Sequence, residues 1–439
     1  MLGAHPVQSK WLTASYPNTA VTQFLWLSSL PGWTLFLFTT GAMFLHGPNQ
    51  QRALGFLLGL SAILVFLTAT TRVRKRIVSP PRELILYSIW IFWCLTALAV
   101  ARSSAAFWAT YIPVLQVGLA TVFTWILLRA KPHLVNAFLF GLLTGAAVQV
   151  IYIILSGEFV LHGASRVAGL SQNPNGLGIS LLRTSIAAML LLPFLPFVRR
   201  TRSIVLFGVL ALLLYVVLLT GSRKSVLALG VLIGLWLLWA YPIQGRSLAV
   251  GARIALSFLF VFGLYFYLPW IVDNTLFGTR MMQFLDAGGG AVGAAAEQNI
   301  RYDMYLDGLM IFANHPLFGV GMGNFTQHFY TGHYSHSDFM EPLATTGLIG
   351  FLLYHAMHIG LTMRIFSALK VVKEAEARYR VKVCGIGLLT LLLIGTGAPF
   401  MTTHLHFMLL VSMWFVVAEA RRSALLPQVR TALRSASSF

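Results

Sequence analysis

Two neighbouring apolar runs decide the fold of this chain: FWATYIPVLQVGLATVFTWILL at residues 107–128 and LVNAFLFGLLTGAAVQVIYIIL at residues 134–155. Each run is 22 residues long and contains no Asp, Glu, Lys or Arg. An α-helix needs about 20 apolar residues to cross the hydrocarbon core of a bilayer. Each run therefore predicts a membrane-spanning helix, and the basic linker RAKPH at residues 129–133 predicts a short loop at a membrane surface.

The whole chain shares this character. Of its 439 residues, 57% are hydrophobic and 10% are charged, whereas a soluble domain carries roughly 25% charged residues. This composition excludes a soluble enzyme, a secreted disulfide-bonded scaffold and a disordered protein. The apolar runs are also longer than membrane β-strands and lack their strict alternation, which excludes an outer-membrane barrel. The two cysteines, Cys94 and Cys384, form neither a disulfide framework nor a thiol metal motif.

We therefore expect an all-α polytopic membrane protein with about 12 transmembrane helices. The predicted spans lie near residues 23–45, 53–70, 84–101, 107–128, 134–155, 176–196, 203–220, 225–241, 254–271, 344–363, 383–398 and 402–419. The last two are short and meet near Gly397, so they form either two helices or one broken hairpin. The chain then divides into nine spans at 1–271, a large loop at 272–343, three spans at 344–419 and a basic tail at 420–439.

The distribution of basic residues predicts the orientation. With the N-terminus in the cytoplasm, 23 of the 31 Lys and Arg residues fall on the cytoplasmic side and seven fall outside. Cytoplasmic loops are normally enriched in Lys and Arg, so the large loop should face the periplasm. The net charge of +19 then reflects topology, and we expect no nucleic-acid binding.

The large loop is the expected location of the chemistry, because long connections are usually functional or disordered. Residues 286–296 are small and predict a flexible segment. Residues 301–313 have the apolar spacing of a short amphipathic helix, lying on the membrane surface or on the bundle. Most of the polar residues of the loop follow this helix.

Two outward positive charges oppose the general bias. Arg223 and Lys224 occupy the turn at residues 221–225, which joins two predicted spans. In one interpretation the pair snorkels toward phospholipid headgroups. In the other, the backbone N–H groups at the helix start and the arginine fork form an anion-binding site.

Further arginines belong to the same argument. Arg166 precedes the turn at residues 173–176, which is either a plain helix start or a set of exposed backbone donors. Arg301 begins the amphipathic segment, as a surface charge or as a ligand contact. If these arginines converge, they suit a diphosphate or a similar multiply charged anion. Arg183 lies inside a predicted span and should face the bundle interior, where it reaches the outer cavity or forms an ion pair.

His336 is the expected general base. It lies on the outer side, and either Asp338 or Glu341 can orient its ring. Two other interpretations are an interfacial histidine and a metal site formed by His333, His336 and Glu341. The chain contains no Asp-x-Asp pair, so a divalent ion held by carboxylates lacks its usual ligands, and we expect no metal.

Together these motifs resemble the bacterial O-antigen ligase and polymerase superfamily of integral-membrane glycosyltransferases. The similarity covers roughly residues 160–365 and extends elsewhere only to the number of spans. The matching stretches, in order, are GL at 169–170, NPNGLG at 173–178, TGSRKS at 220–225, Arg301, NHPLFGVG at 314–321, YSHSDFME at 334–341 and TGLIG at 346–350. Family members carry His-Asn where this chain has His336-Ser337.

The resemblance implies a GT-C-like fold with a large periplasmic loop, in the bacterial inner membrane. It also implies a glycan donor on undecaprenyl diphosphate and no metal, nucleotide sugar or other cofactor. The implied catalytic residue is His336, which activates the acceptor hydroxyl. The residues expected to bind the donor diphosphate are Arg166, Arg223, Lys224 and Arg301. The expected supporting residues are Asp338, Glu341, His333, Asn175 and Arg183.

Two activities of the family share this donor. A ligase transfers the glycan to lipid A-core, in lipopolysaccharide biosynthesis, and a polymerase transfers it to another lipid-linked glycan. We favour the ligase, because the chain is compact with one dominant outer loop. A lipid or solute transporter is a third interpretation, against which the missing half-to-half repeat and the single large loop both argue.

Overall fold

The computed structural model describes residues 24–43, 80–157, 166–195, 198–241, 292–328 and 334–436, together with the single positions Met282 and Gly332. Within these residues every regular element is a helix. The α-helices are α1 (Leu30–Ala42), α2 (Arg82–Thr96), α3 (Ser104–Ala130), α4 (Leu134–Leu155), α5 (Pro174–Leu191), α6 (Arg199–Leu219), α7 (Arg223–Leu235), α8 (Val292–Asn314), α9 (Met340–Val371), α10 (Ala375–Gly395) and α11 (His404–Ala436).

Seven of the described helical segments are long and apolar enough to cross a membrane. They include the two runs that decided the fold, now α3 and α4, and the prediction of an all-helical, multi-span chain is confirmed at this level. The predicted spans at 53–70 and 254–271 lie outside the described residues.

The first predicted span differs from the structure. A 3-10 turn occupies Leu25–Ser28, and α1 begins only at Leu30. The Ser29 side chain accepts a hydrogen bond from the N–H of Gly32 at 3.2 Å, and Pro31 favours a first-turn position. With 13 residues, α1 is about 20 Å long and is too short to cross the hydrocarbon core by itself.

The last two predicted spans are separate helices. α10 and α11 contain 21 and 33 residues and are joined by a turn at residues 396–403. α10 begins before its predicted span and α11 ends after its predicted span, because the charged residues at these two ends continue the helix. The sequence predicts that both of these ends lie on the cytoplasmic side. This turn is the element that closes the site described below.

The predicted amphipathic helix is α8, which begins at Val292 rather than at Arg301. It includes alanines at 294–296, which the sequence placed in a flexible segment. Alanine has the highest helix propensity, so this run extends the helix. Met304 and Ile311 of α8 are buried in a small core with Val320, Phe325 and Ala344. α8 therefore packs on the bundle at the start of α9.

Gly347 interrupts α9 with φ +68° and ψ −174°. The N–H of Leu348 donates to the carbonyl of Pro316 at 2.8 Å, across this break. Val320 and Gly321 donate in the same way to Ala344 and Thr345, both at 3.0 Å. The segment that follows α8 is thereby held against the first two turns of α9.

Candidate functional site

A cavity of about 520 Å³ lies where several parts of the chain meet. Most of its lining comes from the start of α5, the start of α7, the segment that leads into α9, and the turn between α10 and α11. Ala42 of α1, Thr110 of α3, and Gly323 and Thr326 complete it. Predicted site residues that line it are Asn175, Arg183, Lys224, His336 and Glu341. The structure thus brings together side chains that are more than 150 positions apart in the sequence.

The start of α5 forms one wall. The Asn173 side chain caps the helix by accepting hydrogen bonds from the N–H groups of Asn175 and Gly176, at 3.0 and 3.1 Å. Asn175, Ile179 and Arg183 follow at intervals of four, which places them on one face of the helix. All three line the cavity.

Arg166 connects the start of α5 with the end of α6. Its Nη2 donates to Asn175 Oδ1 at 2.8 Å, and its Nε donates to the Thr220 carbonyl at 2.9 Å. Thr220 is the residue that follows α6, just before the turn that leads into α7. Arg166 therefore acts on the cavity through Asn175, which lines it.

Lys224 and Arg223 begin α7. Lys224 lines the cavity, and its Nζ donates to the carbonyl of Gly397 in the α10–α11 turn. Arg223 is partly exposed beside it. The lysine therefore links the start of α7 to the turn on the other side of the cavity.

The segment before α9 carries His336. This residue has φ +53°, a left-handed backbone that non-glycine residues seldom adopt, and such strain is common at functional sites. Its ring centroid lies 4.0 Å from that of Tyr334, which also lines the cavity. Glu341 is buried, and its Oε2 accepts the N–H of Ser335 at 2.9 Å. The carboxylate thus fixes the backbone one residue before His336.

Asp338 fixes the backbone on the other side. Its N–H donates to the Gly395 carbonyl at 2.8 Å, and its Oδ1 accepts from Tyr354 Oη at 2.5 Å and from the Phe400 N–H at 2.6 Å. Burial raises the pKa of Asp338 to about 7, although these hydrogen bonds and the charge of Arg183 oppose the rise. The hydrogen bonds described for Asp338 and Glu341 hold the segment that carries His336, and that either carboxylate orients the imidazole ring stays a prediction.

Arg183 is the most deeply buried basic residue that lines the cavity, with 2% of its surface exposed. Its guanidinium carbon lies 5.1 Å from the centroid of the Phe400 ring. Its Nε and Nη2 have no hydrogen-bond partner among the described residues. A buried polar group without a partner costs about 1–3 kcal/mol, and more when it is charged. The arrangement leaves this guanidinium with free donor capacity at the cavity.

A cluster of three buried residues that do not line the cavity has the spacing of metal ligands. Asp338, His358 and His406 place one potential ligand atom each within 4.8 Å of one another. The two histidine Nε2 atoms are 2.9 Å apart, and both Nδ1 atoms lack a hydrogen-bond partner among the described residues. A histidine that binds a metal normally donates its second N–H to an acceptor. The cluster therefore lacks the supporting bonds of a metal site, and a buried His–His hydrogen bond explains its geometry.

Two predicted residues cannot be placed in the cavity. His333 lies outside the described residues, so the His333–His336–Glu341 metal interpretation stays untested. Arg301 lies on α8, and its side chain is outside the part of the chain that the structure describes.

Sequence reasoning missed one wall of the cavity. It is formed by consecutive residues from Ala398 to Leu405, which lie in the turn between α10 and α11 and at the start of α11. His404 is one of these residues. The polar Thr402 and Thr403 beside Pro399, between two apolar runs, are the signal that could have indicated it.

The comparison with protein families agrees with these motifs. Residues 208–355 match the family model described as O-antigen ligase. The resemblance to the O-antigen ligase and polymerase superfamily is confirmed. The matched segment includes α7, α8 and the broken first half of α9, and with them Lys224, His336 and Glu341. A comparison with curated proteins gives no match.

Proposed function

We propose that this protein is an O-antigen ligase, which transfers a glycan from undecaprenyl diphosphate to a hydroxyl group of lipid A-core. The observation that supports the proposal is the cavity, which is lined by His336 together with the cationic side chains of Arg183 and Lys224. His336 and Lys224 also lie in the segment that matches the O-antigen ligase family model. The cavity is proposed to face the periplasm from the bacterial inner membrane, in line with the distribution of basic residues in the sequence.

The donor end of the site is the side with positive charge. The side chains of Asn175 and Lys224 offer N–H donors to the diphosphate, and Lys224 adds positive charge. Arg223 and Arg301 are assigned to the same role from their motifs. Arg166 supports this end by holding Asn175. A diphosphate is a good leaving group, so the main need is to stabilise its developing charge.

The acceptor end is assigned to His336. Its imidazole accepts the proton of the attacking hydroxyl, and Glu341 and Asp338 hold the backbone around it. The C–O bond to the diphosphate breaks as the new glycosidic bond forms on the opposite face of the sugar. This single displacement inverts the anomeric centre and needs neither a metal nor a glycosyl-enzyme intermediate.

Polymerisation is the second candidate function, because the family match includes both activities. Reconstitution of the purified protein with lipid-linked glycan separates the two: a ligase gives glycan on added lipid A-core, and a polymerase gives a ladder of longer lipid-linked products. Translocation of the lipid without covalent change would instead indicate a transporter and overturn both.

The mechanism is tested with His336→Ala. Loss of a general base should lower the rate of glycan transfer about 100- to 10,000-fold, while donor binding persists. His133→Ala is the matched control, since His133 lies at the start of α4 and does not line the cavity. Near-normal transfer by the His336 variant, or retention of anomeric configuration in the product, would contradict the mechanism.

A further inference from the structure

Three described arginines stack on aromatic rings, and one of them differs from the others. Arg364 lies 4.8 Å from the Trp414 ring and Arg380 lies 4.1 Å from the Phe194 ring. Each of these two forms an ion pair, Arg364 with Glu83 at 2.8 Å and Arg380 with Glu376 at 3.1 Å. Arg364 and Arg380 therefore combine stacking on an aromatic ring with an ion pair, which is a structural role.

Arg183 has the stacking without the ion pair. It lies against Phe400, but its Nε and Nη2 have no hydrogen-bond partner among the described residues. The carboxylate that influences it electrostatically is Asp338, whose described side-chain bonds go to Tyr354 and to the Phe400 N–H. Asp338 thus interacts with Arg183 electrostatically but accepts no described hydrogen bond from its Nε or Nη2.

The position of Arg183 within the cavity is also distinct. It lies two turns beyond Asn175 on the same face of α5, which is about 12 Å along the helix axis. The phosphate-binding groups assigned above cluster near the start of α5 and α7. Arg183 is therefore a separate donor group on the deep side, held in one orientation by the ring of Phe400.

We propose that Arg183 directly binds a phosphate oxygen of the polyprenyl diphosphate, as a second and deeper anion-binding position of the cavity. This inference rests on the proposed function. A planar guanidinium with its face fixed on an aromatic ring presents its N–H edge to an anion without further ordering. The ligand then supplies the hydrogen bonds that the protein does not.

The test measures binding of sugar-free undecaprenyl diphosphate to the full chain in nanodiscs, with undecaprenol as the uncharged probe. Arg183→Gln should weaken binding of the diphosphate about 10- to 100-fold, the range for charge-assisted hydrogen bonds, and should leave undecaprenol binding unchanged. The diphosphate affinity of Arg183→Lys should lie between those of the wild type and Arg183→Gln. Arg380→Gln is the matched control, because Arg380 is stacked and ion-paired away from the cavity, and it should bind both lipids as the wild type does.

A merely structural role for Arg183 makes a different prediction. Arg183→Gln leaves the buried Asp338 without the opposing charge of Arg183, and this should lower the melting temperature. The double variant Arg183→Gln/Asp338→Asn removes both charges and should restore the melting temperature. If it also restored diphosphate affinity, the contact would be structural and the inference overturned; continued weak binding by the folded double variant supports it.

The outcomes separate this inference from the proposed function. A wild-type protein that binds undecaprenyl diphosphate no better than undecaprenol would overturn the proposed function. A wild type that prefers the diphosphate, together with an Arg183→Gln variant of equal affinity, would overturn only the role of Arg183.

Discussion

Replacing Gly347 with alanine tests the break in α9 that positions the loop region. Gly347 has φ +68° and ψ −174°, a backbone conformation that is essentially restricted to glycine. A Cβ atom at this position would clash with the carbonyl group of Leu317 and with the N–H of Phe318. These are main-chain atoms, which cannot rotate away as a flexible side chain would.

The structure gives the size of the effect. Backbone strain of this kind costs about 1–3 kcal/mol, and forcing extra volume into a packed site costs about 1–3 kcal/mol more. The sum is about 2–6 kcal/mol, a large part of a typical unfolding free energy of 5–15 kcal/mol. The strain falls on the hydrogen bond from Leu348 to Pro316, so glycan transfer should decrease as well.

The assay is thermal unfolding of the purified protein in detergent, followed by the transfer reaction. Gly230→Ala is the matched control, because Gly230 lies inside α7 and an added Cβ would meet nothing within 4 Å. That change should be neutral or stabilise the helix by about 0.5–1 kcal/mol. The reasoning is wrong if Gly347→Ala melts at the wild-type temperature, or if both variants lose stability equally.

Three further predictions concern the contacts of Arg166, the protonation of Asp338 and the orientation of the chain in the membrane. Arg166→Lys keeps the charge but cannot donate to both Asn175 Oδ1 and the Thr220 carbonyl. The protein should lose about 1 kcal/mol of stability and part of its transfer activity. An unchanged melting temperature and activity would reject the two-point contact. Burial raises the pKa of Asp338 from 3.8 to about 7, so the folded protein binds this proton more tightly than the unfolded chain, and the wild type loses stability as the pH rises from about 4 to 7. Asp338→Asn should therefore gain up to about 4 kcal/mol relative to the wild type above pH 7 and almost nothing near pH 4, and a pH-independent difference in melting temperature would contradict this. A cysteine introduced at Ala294 should react with an impermeant thiol reagent in cells with a permeabilised outer membrane, whereas labelling only after lysis of the inner membrane would reverse the proposed orientation.

Much of the fold was predictable because hydropathy is a local property. The runs at 107–128 and 134–155 became α3 and α4 with their ends shifted by at most three residues. The prediction failed where a local signal opposed the apolar run: Ser29 and Pro31 delayed the start of α1. It also failed at α8, where small residues suggested flexibility and alanine propensity extended the helix.

By itself the sequence determined that the chain is helical and membrane-spanning, and that His336, Lys224 and Asn175 belong to recognisable motifs, because residue type and spacing along one helix or turn carry that information. Only the tertiary structure decided that these side chains share one cavity with Arg183, and that the α10–α11 turn closes it. It also decided that Asp338 binds Tyr354 and Phe400. Such contacts join segments distant in sequence, and they depend on how helices pack, for which hydropathy and local spacing hold no signal.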